Sequence, residues 1–225
     1  MDIRYWVFGV GMMLTVAAYA QEPTAAQIKA KNIKKITKQY TGDAELTPEV
    51  YIYYYDENGN DTALYMNGAR YSYKTNTYDK NGRRTLEERF FASGEKMDKT
   101  IYTYNPDGSF TSLNTDSQFG LKITEAFDKK GNPTTHTIPD GTVIKYSYNS
   151  KGQKISMSSV PIKGEKKITE NYVYGPDGKM ITSTRKDPNT KSSFEYGANG
   201  LLKKQTTITR TGNGNNKSVV EYVYE

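Results

Sequence analysis

The sequence predicts an all-β fold, an antiparallel meander of repeated β-hairpins that forms an elongated or curled sheet, with barrel-like closure left open. A phrase of two aromatic residues at positions i and i+2, two turn-forming residues and a glycine occurs in seven variants, two of which keep only the second aromatic. The mean spacing of its glycines, (200 − 59)/6 or about 23 to 24 residues, leaves room for two strands and two connections per repeat. Leucine is scarce, with seven copies after residue 20, so tyrosine must supply much of the apolar surface.

Each phrase contains the features of a strand followed by a tight turn. Alternate residues of a strand point to the same face, so the paired aromatics lie on one side of the sheet. Asp or Asn after the second aromatic, or a proline such as Pro106 or Pro176, favours a turn, and the glycine then adopts a left-handed conformation. These glycines are Gly59, Gly82, Gly108, Gly131, Gly152, Gly178 and Gly200.

The first 32 residues are predicted to lie outside the repeats. Arg4, an apolar run over residues 7–18 and the Ala18-Tyr19-Ala20 site indicate a secretory signal peptide over residues 1–20. Residues 21–32 form an N-terminal lead segment, in which Thr24 and Gln27 match a helix capping box. Residues 32–40 are expected to open the sheet, and residues 33–225 to form a single hairpin-repeat domain.

Composition narrows the chemistry that the chain can perform. The absence of cysteine excludes disulfides, thiolate metal sites and a lipidated N-terminal cysteine, so we expect a mature protein that is soluble rather than lipid-anchored. Together with the signal peptide, whose apolar run is too short to span a bilayer, this predicts a periplasmic or extracellular protein without a membrane span in its mature form. After removal of residues 1–20, 30 basic and 24 acidic residues give a net charge of +6. Because lysine is scattered over nearly all repeats, solvation of the strands is favoured over a dedicated polyanion site, and no nucleic-acid partner is expected.

The repeat resembles a known bacterial family. The Tyr-Asp-x-x-Gly core, at Tyr55-Asp56…Gly59 and Tyr78-Asp79…Gly82, is similar to the YD repeat of Rhs-type proteins, over about residues 33–225. The repeat also resembles MORN-like repeat variants, which share a Tyr…Asn-Gly hairpin. In large Rhs-type proteins, such hairpins wind into a shell around a toxin. Related repeats are associated with carbohydrate binding, so the resemblance also implies that activity. This chain is too short to enclose a cargo, and it lacks a toxin-like C-terminal segment and the usual Arg-rich strand signature, so encapsulation is not expected.

No catalytic or metal site is expected from the motifs, and no cofactor. The single histidine, His136, is interpreted as a surface residue of a strand. The acidic turn at residues 56–61 has its glycine at the wrong position for a calcium loop. Glu87 and Glu88 are adjacent, hence on opposite faces of a strand, and cannot act together as acid and base.

The aromatic ladder is the one candidate binding surface, since exposed tyrosines stack on sugars and occur often in binding surfaces. The leading hypothesis is an exported, non-enzymatic scaffold that binds a glycan or a protein, with its oligomeric state undetermined. The alternative is a glycan-active hydrolase using carboxylates from different repeats. An outer-membrane barrel is disfavoured by lysine-rich strands such as residues 34–38. The ladder consists of Tyr53, Tyr55, Tyr102, Tyr104, Tyr146, Tyr148, Tyr172, Tyr174, Tyr222 and Tyr224.

Overall fold

The computed structural model describes residues 23–42, 48–160, 168–186, 189–211 and 214–225. These residues form one short helix and sixteen β-strands. The predicted signal peptide and the connections around residues 163–166, 187–188 and 212–213 lie outside the described ranges. The elements are α1 (Ala25–Ala30), β1 (Lys35–Gly42), β2 (Glu49–Tyr55), β3 (Asp61–Met66), β4 (Ala69–Tyr78), β5 (Arg84–Phe91), β6 (Lys96–Tyr104), β7 (Phe110–Asp116), β8 (Lys122–Phe127), β9 (Pro133–Thr137), β10 (Val143–Tyr148), β11 (Lys154–Val160), β12 (Thr169–Tyr174), β13 (Met180–Lys186), β14 (Asn189–Tyr196), β15 (Leu202–Thr211) and β16 (Gly214–Tyr224).

The strands form a closed antiparallel meander. Each strand pairs with its neighbours in sequence, and β1 pairs with β16 through seven residue pairs that include Thr37 opposite Val223. The predicted all-β meander of hairpins is therefore confirmed, and the sheet closes into a barrel. Closure matters for stability because a closed sheet has no edge strand with unpaired backbone groups.

The seven repeat glycines close the turns at one end of the barrel, the glycine-turn end. All seven have φ between 74° and 88°, a left-handed conformation that glycine adopts without a side-chain clash. In the first turn, the amide of Gly59 donates to the carbonyl of Asp56, and the Asp56 carboxylate accepts from the amides of Asn58 and Asn60. The opposite end, with the variable connections between repeats, is the variable-loop end.

Helix α1 lies against the glycine-turn end. Thr24 accepts from the amide of Gln27, and the Gln27 side chain accepts from the amide of Thr24, so the predicted capping box is present. A side chain at Gly59 would overlap the carbonyl oxygen of Ala25, which shows how closely the helix approaches this turn. Its buried residue, Ile28, belongs to the apolar cluster of the barrel.

One face of the closed sheet is buried, and it has two chemically different halves. Strands β10–β16 and β1 supply an apolar cluster, in which Ile36, Met180 and Leu202 are each 1% exposed. Strands β3–β9 instead place acidic and basic side chains on the same face. No helix among the described residues is long and apolar enough to cross a membrane.

A charged row on the buried face of the barrel

The predicted tyrosine ladder lies on the buried face, among core side chains. Tyr172 and Tyr222 are buried, and the other eight tyrosines named above are half-buried. Tyr55, Tyr146, Tyr174 and Tyr224 pack against the apolar cluster. Whether the ladder binds a ligand stays a prediction.

The second tyrosine of a phrase performs a recurring structural role. Five such hydroxyls donate to a backbone carbonyl two residues after the glycine of the preceding repeat, at distances of 2.7–3.0 Å. Phe127 has no hydroxyl, and its ring stacks instead on Phe110, two residues after Gly108, with ring centroids 4.4 Å apart. In these five cases the tyrosine hydroxyl ties a hairpin to the one before it. The donor and acceptor pairs are Tyr104–Arg84, Tyr148–Pro133, Tyr174–Lys154, Tyr196–Met180 and Tyr224–Leu202.

The candidate site is a line of charged and polar side chains across strands β3–β9, here called the charged row. It consists of Asp61, Lys74, Arg84, Glu87, Tyr102, Ser112, Glu125 and His136. Each residue lies on a different strand, except Arg84 and Glu87, which share β5. The row exists only because the register of the meander places these residues beside one another.

The first part of the row is an ion-pair network. The Lys74 Nζ lies 2.9 Å from Asp61 Oδ2 and 3.1 Å from Glu87 Oε1, and Arg84 Nη1 lies 2.6 Å from Glu87 Oε2. Burial opposes the charge of Lys74, but Asp61 and then Glu87 outweigh it, so the pKa of Lys74 is raised. Burial likewise works against ionised Asp61, yet Lys74 and Arg84 lower its pKa below the ordinary value.

The second part of the row is a carboxylate–histidine pair. The Arg84 guanidinium stacks 4.6 Å from the centroid of the Tyr102 ring. Tyr102 is opposite Ser112, Ser112 is opposite Glu125, and Glu125 is opposite His136. Glu125 Oε1 lies 2.9 Å from His136 Nδ1, and the Ser112 hydroxyl donates to Glu125 Oε2 over 3.4 Å.

Neighbouring tyrosines respond to the charge of the row. Burial, and then the negative charge of Glu87, raise the pKa of Tyr102. Burial, and then Glu125, raise the pKa of Tyr146 on the next strand beyond His136. Both phenols therefore stay protonated at neutral pH and can only donate hydrogen bonds from their hydroxyls or accept them as neutral groups.

The prediction for His136 is wrong, because the residue is 7% exposed rather than a surface residue. Sequence distance hides its partner, since Glu125 is eleven positions away on the preceding strand. Period-two alternation within β8 and β9, combined with the hairpin turn at Gly131, is the signal that could have paired them. The three carboxylates of the row, Asp61, Glu87 and Glu125, come from three different repeats, which no local motif shows.

The geometry provides groups for proton transfer. A carboxylate that holds Nδ1 of a histidine fixes the ring and supports Nε2 as a general base, which later carries the proton. Among the described residues, no group of three histidine or acidic side chains is arranged to hold a metal ion. The row can supply acid–base chemistry at the Glu125–His136 pair, and it holds fixed positive charge at Lys74 and Arg84, four to five strands from His136.

A second buried cation lies in the apolar half. Lys154 is 7% exposed, and its Nζ lies 4.5 Å from the centroid of the Tyr172 ring and 5.2 Å from that of Tyr146. Burial lowers the pKa of Lys154 to about 8, against the opposing effect of Glu170. The two rings stabilise the ammonium by cation–π interaction in place of an ion pair.

The fold defines a class of protein, a closed β-barrel built from tyrosine–glycine hairpin repeats. No family model matches the chain. The chain is 24% identical over 149 residues to the tRNA3(Ser)-specific nuclease WapA of Bacillus spizizenii, and 26% identical over 149 residues to the tRNA nuclease WapA of Bacillus subtilis. Each alignment covers 66% of this chain but only 5% of the relative, so the chain matches a small part of each nuclease.

Some solved structures are similar to this chain at low identity. A porin-like protein from Bacteroides uniformis is 12% identical, with a TM-score of 0.41 over 86% of this chain and 98% of the other. The TcdB2–TccC3 complex is also 12% identical, with a TM-score of 0.33 over 79% of this chain and 14% of the other. The neighbours thus include a complex of the toxin component TccC3.

The sequence relatives overturn three expectations. A non-enzymatic scaffold for a glycan or protein, the absence of enzymatic activity and the exclusion of nucleic acid are all contradicted, because both relatives are named as tRNA nucleases. These expectations rested on the lack of a catalytic motif within any single repeat and on lysines scattered over the repeats, which favoured solvation over a polyanion site.

Proposed function

We propose that this chain is a nuclease-type repeat protein that acts on RNA, with the Glu125–His136 pair as its acid–base group. The observation that carries the proposal is the 2.9 Å contact between these two side chains on the buried face. The similarity to two tRNA nucleases over 149 residues supplies the substrate class.

In the proposed cleavage reaction, the ribose 2′-hydroxyl is the nucleophile. His136 Nε2 takes the proton of that hydroxyl, and the 2′ oxygen attacks the adjacent phosphorus. The bond from phosphorus to the 5′ oxygen breaks, and that oxygen takes a proton from water. The products are a 2′,3′-cyclic phosphate and a 5′-hydroxyl, and the base has to return its proton to solvent. Glu125 orients the imidazole and stabilises its protonated form.

Lys74 and Arg84 act on other phosphates of the same strand. They lie on β4 and β5, five and four strands from His136, which corresponds to about 24 Å and 19 Å along the sheet at a spacing of ~4.8 Å. These distances are too long for the phosphate that reacts. Neighbouring phosphates of a single-stranded segment would compete with Glu87 and Asp61 for the two cations.

The proposal includes the family and the cellular location. The Tyr-Asp-x-x-Gly cores at Tyr55-Asp56…Gly59 and Tyr78-Asp79…Gly82 support a YD-type repeat. Residues 1–20 have the pattern of a signal peptide, which supports export to the periplasm or the medium. A nuclease in that location meets foreign RNA or the RNA of a neighbouring cell.

The test is cleavage of a tRNA transcript by the purified mature protein. Cleavage should leave a 2′,3′-cyclic phosphate and should stop when the 2′-hydroxyl at the cleaved position is replaced by hydrogen. His136→Gln should lower the rate by about 100-fold or more. Glu125→Gln should lower it less, and Lys145→Gln, an exposed change on β10, should leave it unaltered.

Thermal unfolding of each variant separates loss of activity from loss of fold. The proposal is overturned if the parent protein leaves a pool of tRNAs intact. It is also overturned if folded His136→Gln protein cleaves at the parent rate.

A further inference from the structure

The exposed face of β13–β16 carries a concentration of positive charge at the variable-loop end. Lys186, Lys191, Arg210 and Lys217 are all exposed there and are here called the loop-end patch. Lys186 and Arg210 both flank Asn189 in the register, and Lys191 and Lys217 both flank Ile208. The four cations therefore form two rows, one across β13–β15 and the other across β14–β16.

The acidic residues of these strands lie elsewhere. Among the described residues of β13–β16, the exposed acidic side chains are Glu195 and Glu221, both nearer the glycine-turn end. They stand opposite Lys204 in the register, and Glu221 lies 3.4 Å from its Nζ. No ion pair between described residues engages Lys186, Lys191 or Arg210. Lys186, Lys191 and Arg210 therefore contribute positive charge at this end of the strands without an ion pair to a described acidic residue.

The dimensions of the patch suit a polyanion. At a strand spacing of ~4.8 Å, the two cations of each row are separated by about 10 Å. The Asn189 and Asn215 side chains lie beside Arg210 and add neutral hydrogen-bond donors to the same surface. A nucleic-acid backbone carries repeated negative charges, and a protein that neutralises them with Lys or Arg gains affinity through release of their counterions.

We infer that the loop-end patch is the surface on which the RNA backbone first binds before a single-stranded segment reaches the charged row. This inference rests on the proposed function. His136 is one residue from the end of β9, next to the turn at residues 138–142, so the charged row also reaches the variable-loop end. RNA bound to the patch is held at the same end of the barrel as the acid–base pair.

The experiment is a salt titration of tRNA binding by fluorescence anisotropy. The double variant Lys191→Gln/Arg210→Gln should bind roughly tenfold more weakly than the parent at low salt. Its plot of log affinity against log salt should be shallower by about 1.4 to 1.8. Lys99→Gln/Lys122→Gln is the matched control, since it removes two exposed lysines from β6 and β8 on another part of the sheet.

The outcomes separate this inference from the proposed function. If both double variants lose equal affinity, or if the patch variant binds as the parent does, the inference is overturned while RNA recognition stands. If the parent fails to bind RNA, both are overturned. If the patch variant alone loses binding in a parent that never cleaves RNA, the patch assignment holds and the nuclease assignment falls.

Discussion

Replacement of Tyr174 by Phe removes one tie between neighbouring hairpins and leaves the aromatic ring in place. The Tyr174 hydroxyl donates to the carbonyl of Lys154 over 2.8 Å, and the residue is half-buried against the apolar cluster. The variant therefore loses one hydrogen bond without creating a cavity larger than an oxygen atom. The Lys154 carbonyl loses the hydrogen bond that it accepts from this hydroxyl.

The loss in the free energy of unfolding depends on how many of these hydroxyl–carbonyl hydrogen bonds are removed. One hydrogen bond of this kind contributes about 1 kcal/mol to the free energy of unfolding, within a range of about 0.5 to 1.5. A loss of that size lowers the midpoint of thermal unfolding by about 2–4 °C in a chain of this length. Removing the hydroxyls at Tyr104, Tyr148, Tyr174, Tyr196 and Tyr224 together should cost about 5 kcal/mol, which is comparable to the total stability of many domains.

The assay is chemical denaturation with tyrosine fluorescence and circular dichroism. Tyr54→Phe is the control, because Tyr54 is 39% exposed and keeps its edge contact with the Tyr65 ring when only the hydroxyl is lost. The control should unfold within about 0.5 kcal/mol of the parent. If the five-fold variant also unfolds within that margin, the hydroxyl–carbonyl ties do not hold the hairpins together.

The remaining predictions concern charge and backbone. Lys154→Met should stabilise the protein by on the order of 3 kcal/mol at neutral pH, because a lowered pKa means that the buried ammonium opposes folding. The stability of the parent should rise between pH 8 and 10.5 relative to this variant, since the unfolded chain there binds the extra proton, and denaturation across that pH range measures the difference. Gly59→Ala should lower the unfolding midpoint more than Gly82→Ala, because both positions have positive φ but only the first would overlap Ala25. Lys74→Met should cost about 3 kcal/mol, because it removes the cation paired with Asp61 and one of the two cations paired with Glu87. Denaturation at pH 7 detects this loss, which shrinks as the two carboxylates are protonated.

The repeat phrase predicted the fold because its signals are local. A glycine with positive φ, an Asp or Asn beside it and an alternating strand all act within a few residues, so the turn at Gly82 could be anticipated from its own neighbours. Closure was left open because the pairing of Thr37 with Val223 joins residues from the two ends of the domain. No local pattern decides whether a meander of this length curls enough to meet itself.

The charged row depends on register rather than on local pattern. Glu87 was judged only against its sequence neighbour Glu88, whereas its partners Lys74 and Arg84 come from the adjacent strand β4 and from the start of β5. His136 was placed at the surface because polar residues usually are, yet its position opposite Glu125 buries it. A tyrosine-rich core tolerates buried charge since its hydroxyls and rings supply partners that leucine cannot.

The measurement that tests the account most directly is cross-linking across the closure of the barrel. The chain has no cysteine, so Thr37→Cys/Val223→Cys creates a single reactive pair at positions opposite each other on β1 and β16. A short bis-maleimide should join the two cysteines within the monomer at high yield, and a shift in denaturing electrophoresis reports the product. The control is Thr37→Cys/Val173→Cys, which places the second cysteine at the exposed Val173 position on β12 and should not give this product. Failure of the first pair, or equal yields for both, would contradict a closed barrel and with it the buried row that the closed sheet encloses.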